Sequence, residues 1–494
     1  MVDFDVIVVG GGNAALCAAL SASESAKRVL VLERAPEEEA GGNSRFTAGL
    51  FRLVYTGPED LKTLIPDLSP EEIANTDFGT YTEGQFLDDM ARLTEYRCDP
   101  DLTEILVKES FPTVKWMRQK GVRFTAAWGR QAFRIGGKFK FWGGLTVEAV
   151  GGGPGLVESE TQLAKKAGIE IWYQARAVAL IADDDGVHGV VVKKAGKTLQ
   201  AKAKAVVLAA GGFQANTEWR TRYMGPGWEL AKVRGTRFNT GDAIEMALDI
   251  GAAAHGNWSG CHAVAWDRNA PETGDLAVGD GFQKHSYPWG VYINADGRRF
   301  VDEGADFRNY TYAKYGRVIL QQPKQFAWQI FDAKVKRQLR DEYRIKQVTK
   351  ITANTLEELV SKMDDTDQKA ALETLKKYNA AVRTDIPFNP NVKDGRCTEN
   401  LPVNKSNWAN TLDTPPFEAY AVTCGITFSF GGLKINSQTQ VLSSDGEPIA
   451  GLYAAGELVG GIFWFNYPGG SGLTNGAVFG RIAGANAASA SRER

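Results

Sequence analysis

Hydrophobic residues open this chain in an unbroken run and then give way to glycines. The pattern predicts a strand over Asp5–Val9, rich in β-branched side chains and buried on both faces. Gly10, Gly12 and Ala15 follow as G-x-G-x-x-A, and the small residues of Ala14–Ala22 predict a helix. A second apolar strand, Val29–Leu32, ends at Glu33, about 20 residues beyond the glycines. Far downstream, Ala205–Gly212 (AVVLAAGG) reads as another apolar strand ending in a double glycine. Gly451–Glu457 (GLYAAGE) precedes the glycine-rich Tyr467–Gly476 and a final small-residue helix from about Ala477 to Ala488. Between these segments lie a strand at Val291–Asn294, a turn at Ala295-Asp296-Gly297 and a charged helical tract from Thr355 to Val382. Leu356, Leu359, Met363, Leu372, Leu375 and Tyr378 give that tract a partial helical period. No internal repeat or low-complexity linker interrupts the chain.

The opening strand, glycines, helix, strand and acid form one chemical device. Gly10 makes the turn, Gly12 lets the backbone approach a pyrophosphate, and the helix N-terminus at Asn13 faces that anion. Glu33 can accept hydrogen bonds from a ribose diol. The chain is therefore expected to bind an ADP-containing cofactor. The nucleotide-contacting segments lie at both ends, so a discontinuous cofactor domain (1–256 and 425–494) with an inserted domain (257–424) is expected. A length of 494 residues exceeds one compact core and agrees with that division.

Composition excludes more than it selects. A net charge of −2 offers no basic surface for nucleic acid or an anionic membrane. No apolar run reaches the ~18 to 20 residues of a membrane span, and no signal-like segment precedes the first strand, so the expected address is the cytoplasm. Cys17, Cys98, Cys261, Cys397 and Cys424 form no C-x-x-C, and His188, His255, His262 and His285 form no H-x-x-x-H. Iron–sulfur, zinc and c-type haem signatures are thus lacking, and no metal site is expected. Twelve Trp and 54 Gly point to flat walls and close backbone approaches around a ligand.

VVGGGNAA, GGNSRFTAG, AVVLAAGGF, NTGDAIEMALDIGAA, GRRFVDE and GLYAAGE…GG…GRIAGANAA occur in this order. Together they resemble the succinate dehydrogenase/fumarate reductase flavoprotein superfamily over nearly the whole chain. Within it, GRRFVDEGADFRNY and NYPGGSGLTNGAVFGR most resemble the tricarballylate dehydrogenases. The resemblance implies an α/β fold, a Rossmann-like FAD-binding domain with an inserted α+β capping domain. It places FAD against Gly10, Gly12, Asn13, Ala14 and Ala15, against Glu33 and Arg34, and against Asn43, Ser44, Thr47, Ala48 and Gly49. Further contacts are implied at Val178, at Ala210, Gly211 and Gly212, at Asn239, Thr240 and Asp242, at Gly456 and Glu457, and at Ser471, Gly472 and Leu473. Members that bind FAD covalently carry a His within the segment matching Gly42–Ala48; Asn43 and Ser44 stand here, so non-covalent FAD is implied.

The superfamily reaction moves a hydride between flavin N5 and one carbon of a carboxylate-activated C–C bond, while an arginine exchanges a proton at the neighbouring carbon. Arg308 matches that arginine, following Arg299-Phe300-Val301-Asp302-Glu303 in a register one residue longer than in the soluble fumarate reductases. His262 matches a substrate-carboxylate histidine, although Ala263 replaces the usual proline after it. His285 has no family counterpart and reads as a histidine of the cap surface or core. Thr427-Phe428-Ser429 ahead of Gly431-Gly432 replaces a histidine pair, leaving Ser429 as a substrate-side candidate, and Tyr467 stands where fumarate reductases carry a carboxylate-clamping Arg. Tyr467-Pro468-Gly469 also looks like the tail of 3-ketosteroid dehydrogenases, where the tyrosine assists proton removal. Phe463-Trp464-Phe465 reads as a wall of the flavin site or the core, and Arg130–Trp142 as an anion-binding stretch or a solvated loop.

The expected activity is an FAD-dependent dehydrogenase forming a C=C bond beside a carboxylate, like tricarballylate dehydrogenase. Its rivals are a fumarate-reductase-type enzyme, a ketosteroid-type dehydrogenase and a catalytically silent flavin subunit. Only one dinucleotide fingerprint is present. Electrons are therefore expected to pass to a separate iron–sulfur or haem membrane protein and on to the quinone pool, with the chain peripheral to the inner membrane face.

Overall fold

The computed structural model describes residues 3–141 and 143–493, so Trp142 lies outside the described residues. Its packing divides the chain into two units. The first is Met1–Gly225, Gly235–Cys261 and Phe428–Arg494; the second is Pro226–Arg234 and His262–Thr427. These limits differ from 257 and 424 for a physical reason. They fall inside the long strands Ala254–Asp267 and Phe417–Leu433, and Lys232–Val233 joins the second unit by pairing in parallel with Gly425–Ile426.

The first unit is built on an eight-stranded sheet. Glu170–Trp172, Val29–Leu32, Phe4–Val9, Lys197–Leu208 and Pro448–Ala454 lie side by side in parallel. Val6–Val9 and Val29–Leu32 are buried throughout, which explains their continuous apolar sequence. Ala175–Asp183 and Gly186–Lys194 extend the sheet antiparallel from the first half of Lys197–Leu208. Gly10 turns the chain from the first strand into the helix Asn13–Ala22 at a φ of 117°, and a Cβ there would run into the Ala209 carbonyl. The last helix is Ser471–Glu493, longer than the expected Ala477–Ala488. Gly472 and Gly476 read as part of the glycine-rich segment before it, whereas Gly480 and Gly484, inside the expected helix, let it press against the Asn13–Ala22 helix by meeting the Ala14 and Ala18 carbonyls.

Arg130–Trp142 does not form an anion-binding loop as far as it is described. Ala132–Ile135 and Lys138–Phe141 pair as a hairpin, with Lys140 3.4 Å from Asp77 and Arg134 donating to its own turn at the Gly137 carbonyl, 3.2 Å away. Among the described residues no helix is long and apolar enough to cross a membrane, and no group of His, Cys, Asp and Glu could hold a metal ion.

In the second unit, Val291–Asn294, Ala327–Phe331 and Phe417–Leu433 pair antiparallel, and Lys350–Ala353 pairs with Phe417–Leu433 as well. The expected tract Thr355–Val382 is two helices, Leu356–Ser361 and Gln368–Ala381. Asp365 breaks the run at a φ of 59°, and the Asp367 side chain caps the second helix by accepting from the Ala370 N–H at 3.0 Å. The apolar period survives the break: Leu359, Met363, Leu375 and Tyr378 share one core with Ile293, Trp328, Ile330 and Ala419.

Two lysines are sunk into this unit. Lys405 Nζ donates to the Pro288 and Gly290 carbonyls at 2.7 and 2.6 Å, and burial pushes its pKa from 10.5 down to about 8. Between pH 8 and 10.5 the unfolded chain keeps this proton while the folded chain has released it, so stability gains as pH rises through that window. The stability of the wild type relative to Lys405→Met is expected to rise by up to about 3 kcal/mol from pH 8 to 10.5. Denaturant unfolding at pH 7.5 and 10 checks this; a difference that does not change with pH contradicts it.

Candidate functional site

The candidate cofactor residues all belong to the first unit, where hydrogen bonds gather them into three groups. The first surrounds the start of the Asn13–Ala22 helix. The Asn13 N–H donates to Ser44 Oγ at 3.0 Å, and the Asn13 side chain donates to the Leu473 carbonyl at 2.9 Å. Sequence positions far apart (the fingerprint, the turn Gly42–Phe46 and the C-terminal tail) are thereby joined. Thr47 Oγ1 donates to the Ser44 carbonyl at 2.9 Å and accepts from the Gly49 N–H at 3.1 Å, while Asn43 Oδ1 accepts from the Thr236 N–H at 2.9 Å.

The second group stands at the end of Val29–Leu32. Glu33 is buried and accepts from the Ala35 N–H at 2.7 Å; burial raises its pKa against those backbone donors. Arg34 donates to Thr240 Oγ1 at 2.5 Å and to Asp242 at 3.2 Å, and Asp242 also receives Arg176, two residues before Val178, at 2.7 Å.

Glu457 organises the third. It follows Gly456 and accepts from the Ser429 N–H at 3.0 Å, Gln214 at 3.3 Å and Asn239 at 3.4 Å. Burial pushes its pKa up to about 8. Gly212 lies so close that a Cβ there would collide with Ser429 Oγ and Glu457. Ser429, expected on the substrate side, is thus hydrogen-bonded to Glu457 and sits beside the Gly212 backbone.

These residues fit an FAD. The Asn13–Ala22 helix begins at Gly12 with no side-chain cap, so its first N–H groups are open to an anion apart from the bond to Ser44. Ser471 Oγ and Asn475 Oδ1 are buried at the head of the last helix without a hydrogen-bond partner among the described residues, which leaves polar atoms for a ligand to satisfy. Tyr467 is 5% exposed and packs edge-on to Phe428 and Phe463, with ring centroids 5.2 and 5.4 Å away. An aromatic cluster stands where the resemblance places a carboxylate clamp.

The second unit holds Arg308 and His262, while Tyr467, the other proton-transfer candidate, lies in the first. Arg299 Nη2 meets Glu303 Oε2 at 2.5 Å, and Glu303 Oε1 accepts from the Tyr292 N–H at 2.8 Å, so the Arg-Phe-x-x-Glu run is a buried clamp on the turn leading to Arg308. Arg308 opens the short 3-10 turn Arg308–Tyr310. Burial, with Arg340 adding to it, pushes its pKa from 12.5 down to about 9, while the Tyr287 and Tyr312 phenols and Glu342 pull the other way. His262 is 1% exposed, and burial together with Arg234 holds its pKa well below the usual range, so the ring is neutral at pH 7. Its ring stands edge-on to Tyr312 at 5.0 Å.

Around them run two ion pairs that the sequence did not reveal, because their partners come from separate segments. Arg234 meets Asp280 at 2.7 Å and Arg340 meets Glu342 at 3.1 Å. The Gln283 amide donates to both carboxylates, at 2.5 and 3.0 Å. His285 was also missed; it is buried, with its ring 4.8 Å from that of Tyr312.

Comparison with known proteins identifies the family and the fold. The model of a family described as an FAD binding domain matches residues 5–473. The chain is 30% identical to the probable fumarate reductase Ifc3 of Shewanella frigidimarina, over 98% of this chain and 74% of that protein. A flavocytochrome c3 fumarate reductase in its open conformation superposes with a TM-score of 0.73 at 27% identity, covering 99% of this chain and 78% of the other. The 3-ketosteroid delta1-dehydrogenase of Sterolibacterium denitrificans shares the fold, with a TM-score of 0.75 at 20% identity over 98% of this chain and 99% of that one. This chain belongs to the FAD-binding family within the succinate dehydrogenase and fumarate reductase flavoproteins, and it is an FAD-dependent oxidoreductase.

Proposed function

We propose that the enzyme transfers hydrogen across a C–C bond next to a carboxylate, with Arg308 exchanging the proton and His262 binding the carboxylate. The observation that carries this reading is the setting of Arg308. An arginine ordinarily holds its proton too tightly to act as an acid. Here burial and the neighbouring Arg340 lower its pKa to about 9, nearer the range in which proton transfer is efficient. When bound, FAD supplies the hydride acceptor or donor. Arg308 takes a proton from the carbon in oxidation and returns one in reduction, so these residues serve both directions.

Neutral His262 offers a hydrogen bond to a carboxylate without adding charge, while Arg308 supplies the charge. The FAD is held without a covalent bond, since Asn43 and Ser44 occupy the linkage segment. With a single dinucleotide fingerprint, electrons are exchanged with a separate redox protein. Tricarballylate is the first substrate to test, because NYPGGSGLTNG resembles the tail of its dehydrogenases.

A second reading rests on a specific observation. Residues 435–480 contain no Lys, Arg or His, and Tyr467 lies among aromatic rings. That favours a ketosteroid-type substrate whose carbonyl side needs no cation from this segment.

Anaerobic flavin reduction screened across tricarboxylates, dicarboxylates and 3-ketosteroids separates the two. Bleaching by a carboxylate is the expected result, and bleaching by ketosteroids alone overturns the first reading. Acid precipitation is expected to release all the flavin into the supernatant. Fluorescence on the denatured protein band would show a covalent bond.

A further inference from the structure

His285 has an environment that its sequence did not announce. It is 3% exposed, and its Nε2 has no hydrogen-bond partner among the described residues. Burial comes first among the causes that hold its pKa far below the usual histidine range, followed by Arg234, Arg308, Arg340 and His262. A neutral imidazole has one donor and one acceptor, and a buried ring nitrogen left unsatisfied costs stability unless a ligand meets it.

The backbone on each side of His285 is fixed by other groups. Lys284 Nζ caps the Gly281, Phe282 and Gln283 carbonyls at 3.2, 3.1 and 3.3 Å. The Ser286 N–H donates to the Tyr343 hydroxyl at 2.9 Å, and Ser286 Oγ accepts from the Arg340 N–H at 3.1 Å. Tyr312 packs against both His285 and His262, with ring centroids 4.8 and 5.0 Å away. A histidine kept only for structure would spend its ring nitrogens on that framework. Here Lys284, Ser286 and Tyr343 make the framework, and the ring nitrogen is spare.

We propose that His285 is a substrate-binding residue whose Nε2–H donates to a carboxylate oxygen of the substrate. The inference rests on the function proposed above and extends it to a residue with no counterpart in the family motif. An anionic ligand fits because Arg308 acts on His285 alongside Arg234 and Arg340, which are paired with Asp280 and Glu342, and a neutral ring beside them can donate to an anion without adding a further charge. Tyr312 packs edge-on with both histidine rings, so residues from two separate segments share one aromatic neighbour.

Calorimetric titration of the FAD-loaded protein with fumarate, urocanate and tricarballylate tests the proposal, with the amide of the tightest binder as a control. Deleting a hydrogen bond to a charged group weakens binding about tenfold or more. His285→Ala is expected to raise Kd by at least that factor for the tightest carboxylate. His285→Gln, which keeps an N–H donor, should recover part of the loss, and the amide should bind weakly to wild type and variant alike. An unchanged Kd in both variants, with FAD content and Tm preserved, overturns the role of His285 and leaves the proposed function standing. Carboxylate binding that depends on His285 but brings no flavin turnover supports the site and overturns the proposed function. A wild-type protein that binds none of the three carboxylates overturns both.

Discussion

Arg308→Ala is expected to lower kcat by ~10² to 10⁴, the usual contribution of general acid–base catalysis, with FAD still bound. The reason lies in the second unit. The Arg299–Glu303 clamp fixes the turn before Arg308, and burial with Arg340 lowers its pKa to about 9. Removing the guanidinium deletes the proposed proton-exchanging group, whereas the candidate FAD residues all lie in the other unit. Arg308→Lys should recover little, because a lysine lacks the planar fork and places its charge elsewhere. Steady-state kinetics separates the roles: a raised KM with unchanged kcat would assign Arg308 to binding alone. If Tyr467→Phe abolishes kcat while Arg308→Ala does not, the chemistry is of the ketosteroid type.

Glu33→Arg is expected to strip the protein of flavin. The substitution removes the proposed ribose acceptor and the bond to the Ala35 N–H, and it puts a second cation beside Arg34 in a buried position. An uncompensated buried charge costs roughly 3 to 5 kcal/mol, which is a loss of more than about 10²-fold in affinity. Glu33→Gln keeps an acceptor for Ala35 without the added charge and should retain part of the FAD. The flavin-to-protein ratio after desalting reports both variants. Full flavin in Glu33→Arg would remove Glu33 from the site.

The parts of the fold that were readable in advance are those in which local pattern and final environment coincide. Val29–Leu32 and Val291–Asn294 occupy the expected strands because short β-branched runs buried on both faces have few alternatives. Ala254–Asp267 and Phe417–Leu433 escaped notice. Phe417–Leu433 is buried along almost its whole length, so no alternation marks it as a strand. In the last helix, Gly472 and Gly476 read as part of the glycine-rich segment before it, yet the helix runs through both, and Gly476 packs against Ala14.

The site divides in the same way. Its cofactor half was legible because a dinucleotide imposes glycines and an acid at fixed spacing. The ion pairs Arg234–Asp280 and Arg340–Glu342 join residues far apart in the chain, and no local spacing encodes them. His285 carried no motif; only its burial and its spare nitrogen distinguish it.

Single-turnover reoxidation tests the central claim most directly. The enzyme is reduced anaerobically in D₂O and mixed with fumarate or another unsaturated carboxylate, and flavin absorbance is followed while the product is analysed for deuterium. The account predicts rapid reoxidation in the wild type with solvent deuterium on both carbons of the reduced bond, because hydrogen on a reduced flavin nitrogen exchanges with solvent, and reoxidation slowed by ~10² or more in Arg308→Ala. Equal reoxidation rates in the two proteins, with the same deuterium content in the product, would contradict it.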